Sequence, residues 1–381
     1  MSLLLHTPCS KSSLAEHYHR AFNRAVDLFI VTAFLTDWDE SLKLNSRCRR
    51  FRLIIGKDFG ITRKAACASV MRWLPANRKC QFMVTDLIMG FHPKAVFWRE
   101  RDDKCFTIVG SSNLTRAAFE TNYEANFVSR ISQTEYRAAQ TWVHTIEKQA
   151  VPVSDDWLSR YKESARAAGG AARTSGRNRT KTTLVPLELP RPAGTAKQIR
   201  TRREQLANYM KHRKGLIHLF RRCASGRISS AQLYERLPNY WDDDLGDRLQ
   251  GPGWERQGKN SDFCALSKSY VTILGTDDGD RDDVVVKEMD VLHQKGVETR
   301  KALLTELLCL EFPTEYPVLN KPVQDYLKRV RFRGPRGASE GSRYIDLARR
   351  LRFSLLQNPN HPAKTVAELD AVIWLVSKQR H

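Results

Sequence analysis

Over the first 160 residues, apolar and polar positions fall into blocks that switch between a helical and an extended period. "SLAEHYHRAFNRAV" (13–26) carries helical spacing, and Ser13 with Glu16 supplies a capping box at its start. "LFIVTAF" (28–34), "FRLIIG" (51–56) and "QFMVTDL" (81–87) are apolar-rich runs that predict strands covered on both faces. "TRKAACASVMRWL" between the second and third of these is helical. "KAVFWRE" (94–100) and "CFTIVG" (105–110), joined by the charged turn "RDDK", predict a hairpin. "NFVSRI" (126–131) predicts another strand, and Ser132 with Glu135 caps a long helix to about residue 149. The pattern is α/β, a mixed sheet flanked by helices.

The periodicity stops at 164–205, where small, Gly/Pro and basic residues dominate, and a flexible basic linker is expected. Helical spacing returns with "REQLANYMKHRKGLIHLFRRC" and dominates from 287 onward; Thr365 and Glu368 cap the last helix. The expected organisation is a domain over 1–163, a linker over 164–205 and a mainly helical domain over 206–381. Within the last, "GTDDGDRDD" (275–283) fails the spacing of a calcium loop, since Gly279 and Arg281 fall where oxygen ligands are needed, and reads as a charged surface loop. Trp241 and Trp254, near Pro and Gly, read as residues that pin loops onto a core.

Charge changes the picture. The net charge is +21, of which residues 166–214 supply +11, with 13 Lys/Arg against 2 Asp/Glu. Positive charge focused in this way suits a polyanionic partner. Eight cysteines are scattered without a Cys-x-x-Cys pair, which argues against a zinc module and for reduced core thiols. No run of about 18 apolar residues predicts a membrane span. The start, "MSLLLHTPCSKSS", lacks the apolar core of a secretory signal, so a cytoplasmic location is expected.

His-x-Lys occurs three times: His92/Lys94, His212/Lys214 and His293/Lys295. The last two are read as surface residues. Only the first precedes a return strand ending in Gly110-Ser111-Ser112-Asn113, with Glu124 and Asn126 on the next element. On a strand, His92 and Lys94 would share a face, one able to attack phosphorus or transfer a proton, the other supplying positive charge. Ser111, Asn113 and the turn's N–H groups suit phosphate oxygens. A Glu124 carboxylate could hold the far ring nitrogen of His92.

His92, Lys94, Gly110, Ser111 and Asn113 resemble the signature of the phospholipase D superfamily, and Glu124 stands where its single-motif nucleases place an acidic residue. The resemblance covers roughly residues 15–150. The sequence departs from it at Arg99, where the family often has an Asp. The resemblance implies a phospholipase D-like mixed sheet and a metal-independent, cofactor-free phosphodiesterase. One histidine forms a covalent phosphohistidine and a second protonates the leaving group. A single motif then implies a homodimer, with His92 of each chain meeting across a two-fold axis. Lys94, Ser111 and Asn113 would bind the scissile phosphate, and Glu124 would orient His92.

The basic balance and the lack of a membrane anchor favour DNA or RNA as substrate. "YLKRVRFRGPRG" (326–337) adds a run in which Lys328, Arg329, Arg331, Arg333 and Arg336 interleave with Tyr326 and Phe332, suited to backbone contact with stacking. The layout resembles metal-independent restriction-type nucleases, which implies a role in prokaryotic restriction or anti-phage defence, with partner proteins of such a system. The alternatives are a non-catalytic DNA-binding component of a defence complex and a phospholipase-type enzyme on anionic lipid.

Overall fold

A computed structural model of the chain describes residues 2–8, 13–164, 187–251, 255 and 260–378. The chain divides into two compact units, Met1–Val185 with Arg333–Ala338, and Pro186–Phe332 with Ser339–His381.

The first unit is built on a mixed eight-stranded sheet in the order β1-β7-β6-β5-β2-β3-β4-β8. Its strands are β1 (Ser2–His6), β2 (Asp27–Thr32), β3 (Arg50–Ile55), β4 (Phe82–Val84), β5 (Lys94–Arg99), β6 (Cys105–Gly110), β7 (Glu124–Ile131) and β8 (Val151–Pro152). β2, β3 and β4 run parallel; β5, β6, β7 and β1 add antiparallel on one side and β8 on the other. Every residue of β2 is buried, because helices cover both faces of the central strands, and this is why that segment is a continuous apolar run.

On one face Phe29, Val31, Ile54 and Met83 meet Tyr136, Val143 and Ile146 of helix α4 (Gln133–Glu147). Ser132 and Glu135 form the expected capping box at its start. On the other face Phe22 of α1 (Ser13–Arg24) packs with Phe51 and with Trp73 of α2 (Lys64–Trp73), and Trp38 closes the cluster. Helices α3 (Arg116–Glu120) and α5 (Asp155–Arg160) complete the unit.

β1 was not expected. "SLLLH" has no alternation, yet it pairs along β7 from Ser2↔Val128 to His6↔Glu124. It is an edge strand, and Leu3 and Leu5 stay exposed, so burial left no pattern to read.

The second unit is helical. Its longest element, α6 (Thr195–Ala224), starts ten residues before the linker was expected to end. Helix forms there because Ile199 and Arg202 are buried, the latter in an ion pair of 3.0 Å with Asp370. Residues 165–186 of the expected linker lie outside the described residues. α7 (Ser230–Arg236) follows, and then come helices Phe263–Leu274, Asp278–Gln294, Thr305–Glu311, Lys321–Arg329, Glu340–Gln357 and Val366–Lys378. Their core gathers Ile199, Val323, Leu347, Leu351, Leu369 and Val372.

"GTDDGDRDD" is not a loop. Asp278 opens a helix, and Asp278 and Asp280 occupy its first turn, where the dipole favours negative charge. Asp282 accepts from Arg349 and Arg352. Trp241 is buried under the Arg248 guanidinium, as a loop-pinning residue would be. Trp254 lies outside the described residues. The cysteines Cys48, Cys67, Cys80, Cys105, Cys223 and Cys309 are buried and free, and Cys264 is half-buried and free.

Candidate active site

β5 begins at Lys94, so His92 precedes the strand. The reason is Pro93, which offers no N–H to a ladder and ends pairing before it reaches His92. The two side chains nonetheless meet. The Lys94 ammonium lies 3.0 Å and 3.2 Å from the two ring nitrogens of the exposed His92, and 3.1 Å from its carbonyl oxygen. Burial pushes the Lys94 amine below the usual lysine value, and the nearby Glu124 carboxylate pulls it back up.

The sheet register sets the rest of the site. Lys94 stands opposite Thr32 at the end of β2, and Gly110 opposite Asn126 on β7. Gly110 has no room for a side chain: a Cβ would lie 2.4 Å from the Ala125 oxygen and 2.4 Å from Asn126 Oδ1. The turn beyond it is pinned twice. Buried Asn126 accepts from the Ser112 N–H at 3.3 Å and donates to its hydroxyl at 2.8 Å. Ser111 receives the Ala125 N–H at 3.0 Å and donates its own hydroxyl to Glu124.

Asn113 reaches across to β2. Its Oδ1 accepts from the Phe34 N–H at 3.2 Å and from Thr32 Oγ1 at 3.3 Å, and its Nδ2 has no partner among the described residues. The Phe34 ring meets the His92 ring edge-on, with centroids 5.7 Å apart. One residue, Phe34, therefore touches both His92 and Asn113.

Glu124 does not take the expected role within the protomer. It is buried, and its two oxygens accept from Ser111 and, at 3.1 Å, from Asn122. The register explains this: β7 starts at Glu124 beside the Ser111 turn, whereas His92 lies beyond the start of β5. Thr32 and Phe34 were not singled out from the sequence, because an apolar strand end carries no signal of the turn it will hold.

Arg99 is at the far end of β5 from Lys94, where its guanidinium pairs with buried Asp27 at 2.7 Å and with Asp103 at 2.5 Å. The other two His-x-Lys pairs are in the helical unit. His212 Nδ1 is 3.2 Å from the carboxylate of fully buried Asp247, so it is half-buried and paired. His293 is exposed, beside Arg300 and Glu340.

The basic run spans two elements. Lys328 and Arg329 close helix Lys321–Arg329; Lys328 pairs with Asp325 at 3.7 Å, and Arg329 lies over the Tyr326 ring at 5.6 Å. Arg331 adopts a left-handed backbone at φ 51. Arg333 and Arg336 fall in the segment that joins the first unit, where the Arg333 N–H donates to Asp156 at 2.7 Å. Among the described residues no helix is long and apolar enough to cross a membrane.

The geometry agrees with a comparison of families. Residues 13–145 match the family model described as "Cardiolipin synthase, PLD-like domain". That stretch is similar to a phospholipase D-like domain, and it contains His92, Lys94, Ser111, Asn113 and Glu124. No curated protein matches. Five solved chains match, among them "NucT from Helicobacter pylori", with 16% identity, 40% of this chain and 98% of that chain covered, and a TM-score of 0.30.

Proposed function

We infer that the chain is a metal-independent phosphodiesterase that cleaves DNA, with RNA as the related substrate. The observation that carries the reading is the pairing of an exposed imidazole with a partly desolvated ammonium, beside the free amide of Asn113. A His92 ring nitrogen attacks phosphorus, an N–P bond forms and the P–O bond to the leaving oxygen breaks. His92 of a second chain gives its proton to that oxygen; water then cleaves the N–P bond. Lys94 and Asn113 hold the non-bridging oxygens. Ser111 and Glu124 hold the turn, since the Ser111 hydroxyl is already donated.

A homodimer is supported by an exposed apolar row. Leu3, Phe127 and Val109 lie opposite one another across β1, β7 and β6, are 59%, 37% and 46% exposed, and Leu5 adds to them. A net charge of +21 supports a nucleic-acid substrate. Lys328, Arg329, Arg331, Arg333 and Arg336 are assigned to backbone contact, the helical domain over 206–381 to recognition, and the biological setting to restriction or anti-phage defence with partner proteins.

The same apolar row favours one second reading, an enzyme acting on anionic lipid at a membrane surface. Incubation with single- and double-stranded DNA and RNA in EDTA, beside release of headgroup from anionic vesicles, tests both. Cleavage of nucleic acid in EDTA that is lost in His92→Ala, with an acid-labile phosphoryl adduct on the wild type, is expected. A requirement for Mg²⁺, or cleavage by His92→Ala, overturns the mechanism. Salt-sensitive DNA binding that His92→Ala leaves intact, with no cleavage, would make the chain a binding component.

A further inference from the structure

We propose that a cavity beside the phosphate site holds a guanine or cytosine base of the nucleotide next to the scissile phosphate. The proposal rests on the phosphodiesterase reading above. The cavity has a volume of about 260 Å³ and lies between α1, the segment around Trp38, and α3. That size suits one ring system, since drug-sized ligands occupy roughly 300–1,000 Å³. Its lining includes Leu114 and Thr115, directly after Asn113. It also includes Asp37, three residues beyond the Phe34 that touches His92 and Asn113, at most about 10 Å along the chain.

Three features select the occupant. The walls are aromatic: Tyr18 and Phe119 meet edge-on with centroids 5.4 Å apart, and Trp38 lines the same space. Such rings stack any base. Trp38 is 7% exposed, and its indole Nε1 is buried with no partner among the described residues. A buried donor left unmade costs about 1–3 kcal/mol, so a ligand carbonyl that reached it would relieve that cost.

The third feature is negative charge, which turns away a phosphate and favours a neutral group with a donor. Glu120 accepts from Arg116 at 2.7 Å, and Asp39 faces His19 at 3.8 Å. Asp37 takes only the Trp38 main-chain N–H, at 2.9 Å, and so keeps acceptor capacity for an amino group. A carbonyl for Trp38 and an amino group for Asp37 are both found on guanine and cytosine. Adenine lacks the carbonyl, and uracil and thymine lack the amino group.

Binding of free guanosine, cytidine, adenosine, uridine and inosine to the full chain, read by saturation-transfer NMR, tests this. Cleavage sites on a mixed-sequence oligonucleotide are mapped in parallel. Guanosine and cytidine are expected to bind at least tenfold more tightly than uridine, adenosine and inosine, the last being guanosine without its amino group. Trp38→Phe, which keeps the ring, and Asp37→Ala, at an exposed position, should each weaken guanosine at least tenfold. Both should flatten a G/C preference beside the cut without abolishing cutting. Five nucleosides that bind alike or not at all, or variants that bind guanosine as the wild type does, overturn the proposal. Selective nucleoside binding without any cleavage defeats the hydrolase reading and leaves the cavity standing. Cleavage without base discrimination does the reverse.

Discussion

The hydroxyl of Ser111 donates to the buried carboxylate of Glu124, so this acid shapes the phosphate-binding turn and not the imidazole of its own protomer. Glu124 also acts on Lys94, whose amine it pulls up against the effect of burial. Removing the negative charge should therefore lower the Lys94 value further. The protonated amine is the form that holds phosphate, and it would be lost at a lower pH. In Glu124→Gln the alkaline limb of the pH–rate profile should shift downward, with the fold intact by circular dichroism. An unmoved limb, or one shifted upward, would refute this electrostatic coupling.

Most of the first unit could be read from hydrophobic pattern because burial on both faces imposes continuous apolar runs, as in β2, and capping imposes Ser132 with Glu135. The motif residues could be read because their chemistry is rare in combination. What could not be read depends on register and on partners distant in sequence. Pro93 moved His92 off the strand, and the pairing of Ser111 with Ala125 settled the partner of Glu124. In the second unit, Arg202 looked like linker charge until Asp370, 168 residues away, was found to bury it. The acidic "DDGDRDD" looked solvated until Asp282 met Arg349 and Arg352.

Arg99, the position that departs from the resemblance, is a structural residue here. It closes over Asp27, which is 1% exposed in its side chain. Arg99→Ala leaves that carboxylate buried beside no cation and should destabilise the first unit by on the order of 3 kcal/mol. Arg99→Asp, which restores the residue common in the family, should be worse, because it sets a second carboxylate against the first. Chemical denaturation of both variants checks the order. Equal stability of Arg99→Asp and wild type would contradict it.

Gly110 tests how closely the turn must approach β7. A Cβ there would strike the main-chain oxygen of Ala125 at 2.4 Å, and backbone in a sheet cannot swing aside. Gly110→Ala should cost about 1–3 kcal/mol of stability and reduce activity more than tenfold, since Ser111 and Asn113 move with the turn. Activity within twofold of wild type would mean that the turn does not position the phosphate donors.

The helical unit carries its own pH dependence. Glu306 is fully buried and pushed up to about 7, with burial as the main cause, opposed by the Leu249 N–H, Gln250, Arg248 and Arg202. Asp370 is pushed up to about 6 by burial, opposed first by Arg202. A carboxyl whose folded value is raised binds more protons when folded than when unfolded, so stability falls as pH rises from about 4.5 towards 7 and then levels off. Amide exchange along helix Thr305–Glu311 reads this locally, without interference from the first unit. The opening free energy there should fall between pH 5 and pH 7, and Glu306→Gln, neutral at every pH, should reduce the slope to the part that Asp370 supplies. A slope that is flat or rising in the wild type, or that Glu306→Gln leaves unchanged, would show that Glu306 stays ionised in the folded unit and that Arg202 and Arg248 outweigh its burial.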